Sequence, residues 1–576
     1  MTRRQSYLPE IPAELLFIIF QHLESEDLTN VAQCCRRLNL TTVPVVMAKA
    51  GFPNPEKIYV VKLGRKGHSD ELTPLVIDIT LTAMEKFYCV LSDKRHWHDH
   101  DTPDSQIADF TRNIRRVIQL MSRLSSIGSM TLVIASWGSP WFFGREVAQP
   151  FTDAVLDLVK VSIEKSCTAF QILHSHPATH PASVGKPYKF EAINGVQVQK
   201  LGRSLTRRLF PSLSSGNVDF EGDGWRYRKL RSPTATPSAM PVQGNLTSLD
   251  ISCEFLLAPP FSTWTFGLMK SSPITRLTLS VPYFVAQEEF KLYLLPHLIA
   301  AVPSLQELRF ASSKIYILTA LVEKLQSFAS LEKLAFALLS STGPYSATPI
   351  EPMAEAGLSR LLSFTGSARQ AAYLFQRSAF YPNLQFVNII VDYSDKPERA
   401  DLARNFATLN AIFSSRCISP CISVCLTNHG PRLRAWSSNI ERQDHLQARH
   451  LSSVSRLTLD LPRFPAETNE EFSKQINTTL AWMDMFWGLK HVTILLVDSA
   501  SIEVRRMRMV DAVNAEFNDV EVSISVVKPS LSSTPDNRSH YHWSNARDSW
   551  VRGTREIPSM PFFLPSAADN YACSHF

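Results

Sequence analysis

The stretch Ile11–Asn39, IPAELLFIIFQHLESEDLTNVAQCCRRLN, decides how the rest of this 576-residue chain is read. Pro12 and Glu14 suit the first turn of a helix. Proline has no N–H to leave unpaired there, and a carboxylate favours the positive end of the helix dipole. Leu15, Leu16, Phe17, Ile18, Ile19 and Phe20 follow without a break. At about 3.6 residues per turn, such a run reaches every side of the helix. A surface helix of a globular protein carries a single apolar stripe instead. Part of this helix must therefore be covered by something else. Ser25 suits the N-cap of a second helix, with Glu26 and Asp27 in its first turn and Leu28, Val31 and Ala32 on its apolar side. Cys35 and Leu38 lead into a third helix, and Pro44 starts a further segment ending near Gly51. Three short helices in about forty residues bury little core unaided, which again calls for a covering partner.

The composition is that of an ordinary folded chain: 44% hydrophobic and 19% charged residues. A net charge of +6 is too mild for its length to point to nucleic acid or an anionic membrane. No apolar run reaches the length of a membrane span, and LLFIIF is too short for the core of a signal peptide. The nine cysteines are scattered without framework spacing, so reduced thiols and a cytoplasmic or nuclear location are expected.

Taken together, Ile11-Pro12-x-Glu14-Leu15-Leu16, Ile19-Phe20, Leu23, Asp27-Leu28 and Cys35-Arg36-Arg37 resemble an F-box. The spacing matches without a gap. Leu38 stands where the family usually has tryptophan, and Ile11 where it has leucine; both keep the apolar character. The resemblance implies a small helical domain, residues 1–52, that docks onto a Skp-family adaptor and through it onto a cullin–RING ubiquitin ligase. The candidates for its adaptor-facing side are Ile11, Pro12, Leu15, Leu16, Ile19, Leu23, Leu28 and Val31, some of which are expected to face inward instead.

Downstream, a pattern of the form apolar-x-x-apolar-x-apolar recurs. It begins at Leu246, Ile274, Leu305, Leu331, Leu384, Val454 and Leu489, upstream at Ile127, and less cleanly at Phe517. The first four starts lie roughly 26–31 residues apart, close to the period of long leucine-rich repeats. Helical patterns stand between, among them DSQIADFTRNIRRVIQLMSRL, FTDAVLDLVKVSIEK, KIYILTALVEKLQSF, ARQAAYLFQRSAF and EEFSKQINTTLAWMDMF. Each unit reads helix, short link, strand, and stacked units give a parallel sheet with helices outside. The units resemble irregular leucine-rich repeats without the family's asparagine after most strands. The expected fold class is therefore α/β: an F-box, then a leucine-rich-repeat-like solenoid that starts irregularly over 53–210 and continues over 245–528. A closed α/β domain is the alternative.

Residues 211–244, rich in Pro, Ser and Gly, read as an exposed, mobile insertion, and 529–576 as a polar tail in which PSMPFFLP is apolar enough to dock. Lys200, Arg203, Arg207, Arg208, Arg226, Arg228, Lys229 and Arg231 make the insertion's surroundings basic: a solvated loop, or a landing place for an acidic or phosphorylated segment. HWHDHD at His96–Asp101 has the wrong order for a metallo-hydrolase and lacks downstream ligands; HSHPATHP at His174–Pro181 reads as a polar loop. Cys417, Cys421 and Cys425 fit a strand better than a helix. No glycine loop for phosphate and no nucleophile elbow is found, so no enzyme, cofactor or metal is expected.

The expected function is that of a substrate-recognition adaptor of an SCF-type ubiquitin ligase. The alternative is a solenoid interaction scaffold not coupled to ubiquitination. In each unit the last two apolar residues point inward, because strand side chains alternate. Their neighbours form the open face: Arg276, Thr278 and Ser280; Glu307, Arg309 and Ala311; Phe386, Asn388 and Ile390; Arg456, Thr458 and Asp460; His491, Thr493 and Leu495. Among these, Arg276, Arg309, Phe386, Ile390, Arg456 and Leu495 are the candidate contacts for an unidentified protein substrate, since apolar groups beside arginines resemble a binding hot spot; the alternative is that a loop or PSMPFFLP folds back over Phe386, Ile390 and Leu495.

Overall fold

A computed structural model describes residues 11–49, 54–63, 72–91, 103–134, 145–174, 187–193, 218–230, 232–233, 235–237, 243–281, 285–312, 314–338, 358–377, 381–392, 399–416, 418–427, 452–460, 469–484, 486–497 and 502–527. His96–Asp101, most of His174–Pro181, Cys417, Lys200, Arg203, Arg207, Arg208, Arg231 and the tail 529–576 lie outside the described residues. The chain divides into two compact units, Met1–Pro303 and Ser304–Phe576.

The first unit opens with three helices, α1 (Ala13–Gln21), α2 (Ser25–Cys34) and α3 (Arg36–Lys49), followed after β1 (Ile58–Leu63) by the short α4 (Thr73–Ile77). Ser25 is the first residue of α2 and Glu24 takes the cap position, one residue earlier than the sequence suggests. β1, β2 (Ala83–Leu91), β3 (Ser126–Ile134), β4 (Ala169–His174), β8 (Ser248–Ile251) and β9 (Arg276–Val281) then lie side by side in that order, all parallel. Parallel neighbours need crossovers, and helices supply them. α5 (Pro103–Arg123) precedes β3, α6 (Arg145–Glu164) precedes β4, and Phe261–Lys270 precedes β9. The register stacks inward residues in rows: Tyr59, Phe87, Met130, Phe170, Leu249 and Leu277 form one, Val61, Cys89, Leu132, Ile172, Ile251 and Leu279 the next. All twelve are buried. α5 buries Ile107, Phe110, Ile114, Val117 and Met121, an i, i+3, i+4 stripe.

The second unit repeats the arrangement. β10 (Glu307–Ser312), β11 (Lys333–Leu338), β12 (Ser363–Gly366), β13 (Phe386–Asp392), β14 (Cys421–Thr427), β15 (Val454–Asp460), β16 (His491–Val497) and β17 (Glu521–Val527) pair in chain order and in parallel. Helices Ile315–Val322, Ala368–Arg377, Arg399–Ser415, Asn469–Asp484 and Ile502–Glu516 each precede a strand. Leu308, Leu334, Phe364 and Val387 are opposite one another and buried, as are Ile389, Val424, Leu457 and Val492. The expected α/β class with a parallel sheet is what the chain adopts.

The stretch 211–244 departs from the expected mobile insertion. β6 (Val218–Gly222) and β7 (Trp225–Lys229) form a hairpin that β5 (Tyr188–Ala192) joins as a third, antiparallel strand. Asp223 and Gly224 make its two-residue turn, and Gly224 has φ of 78°. Trp225 and Tyr227 give the sheet a buried aromatic side that packs on Tyr293 with ring centroids 4.7 and 5.1 Å away. The Tyr227 hydroxyl donates to the buried Glu289 carboxylate at 2.7 Å. These aromatic contacts provide the reason for order in a segment whose composition suggests none.

Candidate functional site

α1 answers the question its sequence raises. Leu16 and Phe20 are 0% and 1% exposed and pack with Leu28, Leu38, Val45 and Val46 into the core of the three helices. Between and beside them, Leu15 is 51% exposed, Phe17 45%, Ile18 54% and Ile19 43%. Leu40 on α3 adds another exposed apolar side chain. α1 thus has a buried side two residues wide and a broad outward side made of large apolar groups, which single scattered surface leucines do not produce.

Polar contacts hold α1 in place without using that outward side. Lys49 donates to the Gln21 and Leu23 carbonyls at 3.0 and 2.6 Å, supplying charge where the helix leaves its carbonyls unpaired. Arg37 donates to the Ile11 carbonyl at 2.7 Å. Pro12 sits at the cap, its carbonyl receiving the amides of Leu15 and Leu16.

This geometry sorts the eight residues that the sequence offers for an adaptor. Pro12, Leu15 and Ile19 are exposed. Ile11, Leu23 and Val31 are half-buried against the core. Leu16 and Leu28 are core residues and present nothing outward, a correction to their place among surface candidates. Phe17, Ile18 and Leu40 were missed; the unbroken apolar run was the signal for the first two.

Residues 8–43 match the family model of the F-box-like domain. The chain carries an F-box-like domain. No curated protein matches the chain. The F-box-like domain contains α1 and α2 and most of α3, so all the exposed apolar residues just named lie within it.

The open sheet face of the second unit is the other candidate. Its alternation holds: Phe386, Asn388 and Ile390 are half-buried while Val387 and Ile389 are core. The side chains of Thr365, Asn388 and Ser423 join across three strands. The Asn388 amide donates to Thr365 Oγ1 at 3.3 Å, and Ser423 donates to Asn388 Oδ1 at 2.9 Å. Arg456 stands beside Ser423 in register and is half-buried. Arg309 is engaged by Glu307 at 2.6 Å, so it offers a compensated charge. Leu495 is only 6% exposed, and Ala311 is buried too; neither presents apolar surface, contrary to the open-face expectation. Arg276 is exposed, but belongs to β9 of the first unit. Thr278, also in β9, is buried. Trp487, just before β16, is 58% exposed and was not singled out in the sequence.

The basic surroundings of the insertion are less bare than their composition suggests. Arg226 forms an ion pair with Glu191 at 2.7 Å, while Lys189 and Arg228 face each other across β5 and β7, both exposed. Among the described residues no three metal-ligating side chains converge. No helix there is long and apolar enough to cross a membrane. Cys421 and Cys425 lie on β14, in the strand the sequence suggests, and neither forms a disulfide.

Proposed function

We propose that this protein is a substrate-recognition adaptor of an SCF-type ubiquitin ligase. F-box domains generally bind Skp-family adaptors. The observation that carries the reading is the outward side of α1, where Leu15, Phe17, Ile18 and Ile19 present large apolar groups inside a matched F-box-like domain. Covering them by an adaptor removes the anomaly of a surface helix apolar on every side. Through the adaptor the chain joins a cullin–RING ligase in the cytoplasm or nucleus.

The rest of the chain then selects what is modified. Sequential parallel strands, most of them preceded by a helix, support a leucine-rich-repeat-like solenoid with its open face available to a protein. Phe386, Ile390, Asn388 and Arg456 are the contacts favoured on that face in the second unit. The protein contributes proximity, not bond chemistry: holding a substrate lysine beside a charged ubiquitin carrier makes the transfer effectively unimolecular.

The test compares the intact chain with one lacking residues 1–52, each captured from cells after proximity labelling. Recovery of a Skp-type adaptor and cullin with the intact chain alone, and of shared substrates with both, supports the proposal. Substrates without any ligase component would favour an uncoupled scaffold.

A further inference from the structure

Asn39 is 5% exposed and is the fourth residue of α3. A buried amide at that position asks for two acceptors and a donor. Its Nδ2 donates to the Ala32 carbonyl of α2 at 3.1 Å and to the Ile77 carbonyl, the last residue of α4, at 2.8 Å. Its Oδ1 receives the Ile79 amide at 3.5 Å. One side chain therefore ties α2, α3 and the exit from α4 together.

α4 is in turn held from the other side. Arg116 of α5 donates to Thr73 Oγ1 at 3.0 Å; Arg123 of α5 donates to the Val76 carbonyl and, at 2.6 Å, to the Asp78 carbonyl. The buried Asp78 carboxylate accepts from the Thr80 amide and hydroxyl and from the Leu81 amide at 2.8, 2.7 and 3.2 Å, fixing the turn into β2. Leu72 and Leu75 are fully buried between these contacts. A continuous chain of directed bonds thus runs from the F-box-like helices to α5 and β2.

Apolar packing alone would tolerate sliding of α3 over α4. A buried amide with its hydrogen bonds made does not, because any shift strands polar groups away from water. We propose that Asn39 is a positioning residue: it fixes the angle at which the F-box-like helices project from the α/β layer of the first unit. A ligase assembly docked on α1 then faces a set direction relative to residues 54–303. This consequence rests on the adaptor reading; the fixed angle does not.

The experiment uses the full chain and two variants. Asn39→Asp keeps the shape and loses both N–H donors. Arg123→Met releases the Val76 and Asp78 carbonyls from a site that is remote from α1 in sequence and contributes nothing to its outward side. Dyes placed without cysteine chemistry at exposed Gln33 on α2 and Lys160 on α6 report the distance distribution in the free chain. The expected result is one narrow distribution in the unsubstituted protein and a broad one in both variants, with adaptor affinity unchanged. In a ligase reconstituted with Skp adaptor, cullin, RING subunit and ubiquitin-charged carrier, the variants should modify lysines of 54–303 that the unsubstituted chain leaves untouched. Distributions as narrow in the variants as in the original, or broad in all three, overturn the proposal. So does a joint loss of melting temperature and adaptor affinity in both variants, which would make these residues merely structural. Failure of the unsubstituted chain to bind the adaptor sinks the ligase reading alone, since the dye distances are measured without it.

Discussion

Leu15 and Leu16 are adjacent and chemically identical, yet one is half exposed and the other fully buried. Leu16→Ala should destabilise the helical domain by about 2–5 kcal/mol, as truncations of well-packed core leucines do, while Leu15→Ala should change stability by less than about 0.5 kcal/mol. Urea unfolding of the two variants checks this, and equal effects would mean the helix is rotated from its assigned position. The thiols divide in the same way. Cys34 is exposed, whereas burial pushes Cys89 from 9.0 up to about 12 and Cys167 up to about 11. Alkylation of the native protein should therefore label Cys34 and spare Cys89 and Cys167 until denaturant is added. Both groups have raised folded-state values, so their contribution is fully present below pH 9 and is lost as pH rises through 11 and 12. Stability measured at pH 8 and again at pH 10.5 should fall, and Cys89→Ala should shrink the fall. A stability that rises over that range would contradict the burial of these thiols.

At the scale of elements, the strands were legible where the apolar-x-x-apolar-x-apolar pattern recurs. That pattern located β3, β8, β9, β10, β11, β13, β15, β16 and β17. β14 was read instead from the stretch that holds Cys421 and Cys425. β1, β2 and β12 escaped because no helix-link-strand phrase announces them. The β6–β7 hairpin escaped for another reason: Pro- and Ser-rich flanks outweighed the Asp223-Gly224 turn signal, and the aromatic partners Tyr293 and His297 come much later in the chain. Tyr227→Phe tests whether the hairpin is seated as described. It leaves the buried Glu289 carboxylate without its hydroxyl donor and should cost about 1–3 kcal/mol; an unchanged thermal midpoint would place Tyr227 elsewhere. On the second unit's open face, Phe386→Ser combined with Arg456→Glu should abolish substrate recovery and leave adaptor binding and melting temperature nearly unchanged. A marked drop in stability would show Phe386 to be core and overturn the register of β13.

At the scale of the whole molecule, the outward side of α1 was half legible. The sequence announced an over-apolar helix and its F-box spacing, but not which side of α1 faces the three-helix core. Leu16 and Leu28 were therefore counted with Leu15 and Ile19. Their separation depends on contacts from α3, through Leu38, Val45 and Val46, that no local periodicity contains. The open sheet face of the second unit was legible in its alternation but not at Leu495, which is buried together with its neighbour Leu496, so period two breaks there. The proposed function turns on a single association. The measurement that bears on it most directly is the affinity of the full chain for a Skp-family adaptor, by titration calorimetry, beside Ile19→Asp and Leu15→Asp. Each substitution removes apolar contact and sets a charge against an apolar surface, so affinity should fall at least about tenfold, the equivalent of 1.4 kcal/mol, with unfolding midpoints unchanged. Adaptor binding undiminished in both folded variants would contradict the assignment of α1's outward side to the adaptor.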